Sequence, residues 1–529
     1  MNFDFIIIGG GSAGCVLANR LSENPANSVL LIEAGAHGTS PKIAIPLAYS
    51  QLYHSEYDWN LAPEPLKNAN NQVIFYPRGR GVGGSSLINS MIYIRGNRKD
   101  YDDWSKLGNE GWGYDEVLPY FKKSENHWKG ESTFHGGNGL MRISPANERY
   151  SNPLWEALVN SGNSLGLKPN DDFNGKHQEG LGIFDMNIKN GKRQSTASTF
   201  LKDALHRKNL VILTNALTSK ININNKKADG VTIIHHGKIK SIKANKEVIL
   251  SAGAIHSPQI LMLSGIGNSS HLNQFGIKVK HNLIGVGQNL KDHYFFPICY
   301  EINKPYSFNS QMRDFNLIKN TFRYILTKKG PLTIGAASAG GFVNIDSDRP
   351  DLQFHFAPTW GHSINSKIID LPKIDGMTLL PTILQPKSTG YVGLKSNSIT
   401  DQPVIELNYF DNEYDKKFAV KAYRFAHQLL NSKSFEQYRS NILRPSKELE
   451  LDDEILDWVL SNIDTCYHPV GTCKMGNDPM SVVDDQLRVH GVEKLRVVDA
   501  SIMPTIISGN TNAPTMMIAE KGADLILAD

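Results

Sequence analysis

The hydrophobic pattern opens with DFIII at residues 4–8, an unbroken apolar run suited to a parallel strand covered on both faces. GGGSAG follows at 9–14, then CVLANRLSE, whose apolar spacing predicts a helix, and then SVLLIEAG, a second buried strand. From about 35 to 100 the chain is rich in Gly, Pro, Asn and Tyr without a period, which suggests a functional or cofactor-wrapping segment. Residues 208–250 alternate as LVILTN, GVTIIHH and KEVIL, so strands joined by turns are expected there. Residues 297–460 mix strand-like LQFHFAP and GYVGLKS with a helix around Asp415 to Leu430, and a last helix runs from about Pro514 to Leu527. The charge-free run VILSAGAIHSPQILMLSGIG, 248–267, has the length of a membrane span. Ser251, Gly253, His256, Ser257, Pro258 and Ser264 interrupt it, so a buried strand, a turn and a buried helix are predicted instead.

The chain has 529 residues, enough for two or more structural units. Hydrophobic residues are 40% and charged residues 20%, a balance that excludes a disordered or collagen-like chain. Lys plus Arg is 56 against 52 Asp plus Glu; the net charge of +4, with no basic run, argues against a nucleic-acid partner. Cys15, Cys299, Cys466 and Cys473 form no C-x-x-C pair and no metal-ligand spacing, so no metal site is expected. Reduced thiols in a cytoplasmic protein are the simplest reading. The first strand begins too near Met1 to leave room for a secretory signal.

The glycine motif carries the first chemistry. Gly9 permits a tight turn, Gly11 lets the backbone approach a pyrophosphate, and Gly14 allows the helix to pack closely on the strand. The amides at the helix start then face phosphate charge. Glu33 lies 19 residues beyond Gly14 at the end of the second strand, where an acidic residue holds a ribose 2′-hydroxyl. A carboxylate there disfavours a 2′-phosphate and leaves NAD and FAD open.

Two longer segments, GRGVGGSSLINSMIYIRG (79–96) and GAIHSPQILMLSGIG (253–267), resemble the signatures of the glucose–methanol–choline (GMC) oxidoreductases. GNRKDYDDW, GVGQNLKDH, GPLTIGAASAGGF, YHPVGTCKMG and VVDASIMPTIISGNTNAPTMMIAEKGADLI agree, so the resemblance runs from the first strand to the last helix. It implies an α/β chain, α+β overall, in which a Rossmann-like FAD-binding domain (1–155, 195–296 and 460–529) is interleaved with a substrate domain on an antiparallel sheet with helices (156–194 and 297–459). It also implies FAD as cofactor. Beyond Gly9, Gly11, Gly14 and Glu33, the residues placed against FAD are Ser12, Ala13, Ala34, Gly83, Gly84, Ser85, Asn89, Met91, Thr218, Ala252, Gly253, Tyr467, Asp499, Ala500, Asn510, Pro514 and Thr515. Some members link FAD through a histidine just before the motif's asparagine; Ile88 stands there, which implies non-covalent FAD.

Oxidising an alcohol needs a proton acceptor as the hydride leaves, and histidine suits that task. Of 17 histidines, His468 stands out because Pro469 restricts it to an extended backbone. In the family the histidine of this H-P step is the base or the group nearest the reacting oxygen. The spacing of its hydrogen-bonding partner points to Asn512, 44 residues on, ahead of Asn510. Asn512 also reads as a plain N-cap of the last helix, whose positive end would face the flavin's N1–C2 edge. His355, on an alternating strand, is a further pocket candidate; Cys466 and Cys473 read as packing residues.

The function this implies is FAD-dependent oxidation of a primary alcohol to an aldehyde by hydride transfer to flavin N5. His468 would be the base and Asn512 the donor to the alkoxide, with electrons passed to a quinone or other carrier. An oxygen-using oxidase and a redox-neutral lyase are the rivals; choline, aliphatic and aromatic alcohols all stay open as substrates. Peripheral contact with the inner membrane is compatible with this reading, and the oligomeric state is left open.

Overall fold

The computed structural model describes residues 2–361 and 371–529. Two sheets organise them. In the first, Asn2–Ile8, Val29–Ile32, Leu210–Leu213, Leu495–Val497 and the end of Lys238–Leu250 run parallel. Their apolar runs are covered on both faces, as Val29–Ile32, buried at every position, illustrates. Ala216–Asn224, Lys227–His235 and the start of Lys238–Leu250 add an antiparallel meander to one side. There burial alternates along Ala216–Asn224, the mark of a strand with one wet face.

The register fixes where ligands can bind. Ile8 pairs with both Ile32 and Leu250, Ile32 with Leu213, and Leu250 with Val497. All five strands therefore end on one line, and the next residues, Gly9, Glu33 and Ser251, leave the sheet together. Ligands of open α/β sheets sit outside these carboxyl ends. The 248–267 run is the strand ending at Leu250, a turn, and the buried helix Gly253–Leu263. Among the described residues no helix is long and apolar enough to cross a membrane.

The second sheet is antiparallel, in the spatial order Arg439–Arg444, Ile298–Ile302, Gly376–Ile383, Leu352–Ala357, Ala339–Val343, Gly180–Ile183. Glu413–Leu430 presses Phe418, Ala422, Tyr423, Ala426 and Leu429 into the core shared with this sheet. Two short strands, Tyr294–Phe295 and Asp464–Thr465, also join it. The sequence reading assigned both to the nucleotide unit; two residues carry no period from which a sheet could be chosen.

Candidate active site

A cavity of about 1180 Å³ runs from the ends of the parallel strands to the second sheet. That exceeds the usual ~300–1,000 Å³ of a small-molecule pocket. The glycines at its sheet end divide into two kinds. Gly9 has φ +98°, and a Cβ on Gly14 would lie 1.9 Å from the Gly9 carbonyl oxygen, so the turn itself requires both. A Cβ on Gly11 would meet only Gly84 Cα, at 3.9 Å. A Cβ there would clash with nothing in the protein, so the bare backbone at 11 leaves the cavity open beside it.

Glu33 is buried at this end. Its carboxylate accepts from the amides of Gly10 (2.8 Å), Gly35 (2.8 Å) and Gly81 (3.0 Å), tying three loops to one side chain. Asp499 does likewise for Gly253 and Ser501, and also accepts from the Ser257 hydroxyl at 2.6 Å. Both residues line the cavity, with Ser12, Ala13, Ala34, Gly84, Ser85, Asn89, Met91, Ala252, Gly253, Ala500 and Thr515. Gly14, Gly83 and Pro514 stand behind the wall. Gly83 has φ +110° and donates its amide to Gly10 at 2.7 Å, holding the second glycine segment against the first. The Thr218 and Tyr467 hydroxyls are buried beside the cavity without hydrogen-bond partners, which suits a polar occupant.

His468 lies at the far end of the cavity. Its backbone amide donates to Asp292 Oδ1 at 2.7 Å, and Asp292 also accepts from Tyr76 and Thr465. Tyr467, just before it, is held at φ +62°, a strained conformation for a bulky residue. The Arg78 guanidinium donates to the Tyr467 carbonyl at 2.6 Å. The imidazole is fixed as firmly as its backbone. Burial holds His293 at about 3, so that ring is neutral, and the Leu384 carbonyl (3.2 Å) can only accept from its Nε2. In that tautomer His293 Nδ1 is a lone pair, and His468 Nδ1, 3.0 Å away, donates to it. Burial, with His293, His355 and Arg78 nearby, holds His468 well below the ordinary histidine range. In the same tautomer its Nε2 is a lone pair, 3.3 Å from Asn510 Nδ2. Asn510 Oδ1 in turn accepts from Gln353 Nε2 at 3.1 Å.

Two models of GMC oxidoreductases match the chain, one over residues 3–295 and one over 386–519. The chain belongs to the GMC oxidoreductase family. It is 41% identical to the alcohol dehydrogenase [acceptor] of Pseudomonas putida, over 99% of this chain and 96% of that one. It is 39% identical to the oxygen-dependent choline dehydrogenase of Photobacterium profundum, over 100% and 93%. The fold matches a variant of the Aspergillus oryzae RIB40 formate oxidase, an enzyme whose FAD is modified. There the TM-score is 0.93 and the identity 28%, over 100% of this chain and 98% of that one.

For this GMC enzyme the cofactor is FAD, and the residues present fit it. Gly11, the unpartnered Thr218 hydroxyl and the starts of the first and last helices all line this cavity. Ser12 Oγ and Asn512 Oδ1 join those helix starts at 2.8 Å.

Asn512 Oδ1 accepts from Ser12 and leaves its Nδ2 at the cavity, which Asn512 lines, while Asn510 is the amide whose Nδ2 lies beside His468. The N-cap reading of Asn512 does change: Thr511 holds the cap position, no side chain caps it, and Asn512 is the first helical residue. His355 does reach the cavity, with Nδ1 3.0 Å from Thr382 Oγ1, and burial holds it near 4. Asp292, His293 and Gln353 were not singled out by sequence reasoning. GVGQNLKDH contains the first two, but only the fold shows that they set the backbone and tautomer of His468.

Proposed function

We propose that the enzyme oxidises neutral primary alcohols with an apolar tail to aldehydes, and passes the electrons to a quinone or another carrier. The observation that carries this reading is the chain Leu384, His293, His468, Asn510, which leaves an unprotonated Nε2 and an amide N–H side by side in the cavity. A hydroxyl oxygen between them donates its proton to His468 and accepts from Asn510, so the amide stabilises the alkoxide as it forms. Bound FAD supplies the hydride acceptor. His293 holds the tautomer, and Asp292 holds the backbone that presents the ring.

The tail is inferred from the walls beyond His468, which include Phe308, Met312, Leu317, Leu332, Trp360 and Leu380. Among the described residues the carboxylates lining the cavity are Glu33, Asp464 and Asp499, and two of these belong to the cofactor end. Burial raises Asp464 to about 7 and Arg444 lies near it, so it is a poor seat for a quaternary ammonium. That weighs against choline.

Anaerobic bleaching of the flavin by a panel of alcohols tests the reading. Medium-chain or aromatic alcohols should bleach it faster than choline at equal concentration; the reverse order would overturn the substrate assignment. Reoxidation by a quinone analogue but slowly by air supports the carrier. A substrate that turns over without bleaching indicates a lyase. Ile88 lines the cavity where a tethering side chain would stand. Acid precipitation should therefore release the flavin into the supernatant, and a yellow pellet would mean a covalent link.

A further inference from the structure

The helix Asp314–Thr327 buries only Asn320 and Tyr324. Phe315, Ile318, Phe322, Ile325 and Leu326 are each between 54% and 79% exposed. At helical spacing these five fall on one stripe roughly 100° wide, opposite Asn320 and Tyr324. An outward apolar stripe of this kind marks an interaction surface. Its surroundings are basic: Lys319 and Arg323 flank the stripe, Lys328 and Lys329 follow it, and Arg313 precedes it. The one acidic residue of the segment, Asp314, lies 3.2 Å from Arg313. The inner side of the same helix touches the active site, since Leu317 and the preceding Met312 line the cavity.

We propose that this helix docks the enzyme on an anionic lipid surface, its apolar stripe in the boundary between headgroups and acyl chains and its lysines and arginines on lipid phosphates. The charge pattern selects this occupant over a second copy of the chain. A contact between two copies through the stripe would gather the cations of both segments with only the two Asp314 carboxylates, each beside its own Arg313, to offset them, whereas lipid phosphates neutralise them. Docked in this way, the rim of the cavity faces the bilayer, from which apolar alcohols and a lipid-soluble acceptor can enter. The proposal goes beyond the assigned reaction and does not depend on it.

Flotation of the holoenzyme with vesicles of phosphatidylcholine alone, or mixed with phosphatidylglycerol, tests it. The enzyme should float with the mixed vesicles, much less with neutral ones, and be released by high salt. The triple variant Phe315→Ser, Phe322→Ser, Leu326→Ser and the double variant Lys319→Glu, Arg323→Glu should each lose at least about tenfold in partitioning. Both should keep parental flavin content and flavin reduction by alcohol in the absence of vesicles. No flotation of the parent, or equal flotation of all three proteins, overturns the proposal. So does a parent that light scattering shows to be a dimer and a triple variant that is a monomer, because the stripe then belongs to a second copy. If vesicles bind as expected and no alcohol bleaches the flavin, the functional reading fails while the docking surface stands.

Discussion

His468 and His293 face one another in the active site, while His127 and His135 stack 3.7 Å apart beneath the loops that follow residue 124. The two buried pairs are built oppositely. In the active site the ring nitrogens meet a carbonyl, an amide and each other, and no carboxylate, so burial keeps the rings neutral. In the other pair His127 Nε2 lies 2.9 Å from Asp185, and His135 sits between Glu125 (3.2 Å) and Asp172 (2.9 Å). Burial alone would push His135 down, but the hydrogen bonds to Asp172 and Glu125 outweigh it and raise the imidazole to about 9. Arg95, 1% exposed, completes that network on Glu125 at 2.5 Å. The company a buried histidine keeps decides its use: with acceptors that cannot ionise it remains a base, and with carboxylates it becomes a charged strut.

The comparison can be broken at either pair. The largest effect is expected from His468→Ala, which should slow flavin reduction by about 10²–10⁴-fold while FAD and fold are retained; rapid mixing under anaerobic conditions reads it. Parental reduction in this variant would remove His468 from the mechanism and make His355 the residue to test. At the strut, Glu125→Gln leaves Arg95 and His135 without their charge partner. The expected loss is roughly 3–5 kcal/mol in denaturant unfolding, with an unchanged reduction rate in the protein that stays folded. His293→Phe removes the acceptor that fixes the tautomer. Reduction should fall by about ten- to a hundredfold, less than for loss of the base itself, with flavin content unaltered.

Opposite pH responses sharpen the contrast. Because His468 is held low, reduction should stay level through neutral pH and fall only on the acid side of the ordinary histidine range. His135 is held high, at about 9 against about 6.5 when unfolded. Its stabilisation is complete below the unfolded value and is lost as pH rises through the folded one. The thermal midpoint should therefore decline between neutral pH and pH 9–10, a decline absent from His135→Gln.

The parallel strands, the glycine turn and Glu33 were legible because each is local: apolar runs, a turn that needs positive φ, and an acid at a fixed distance. How Asn510 and Asn512 divide their contacts was not. Two residues at the mouth of a helix diverge in direction, one toward His468 and one back to Ser12, and a count of positions cannot distinguish them. Nor was the state of His468 legible, because His293, Leu384 and Gln353 reach it from three distant segments.

The open face of Gly11 separates assembly from loading. Gly9 and Gly14 are needed to fold the turn, but a Cβ at position 11, on the cavity wall, meets no protein atom closer than 3.9 Å. Gly11→Val should therefore give a chain that folds, keeps its two sheets and is colourless. Such a protein would show which parts of the active site the polypeptide arranges by itself and which wait for the cofactor to complete them.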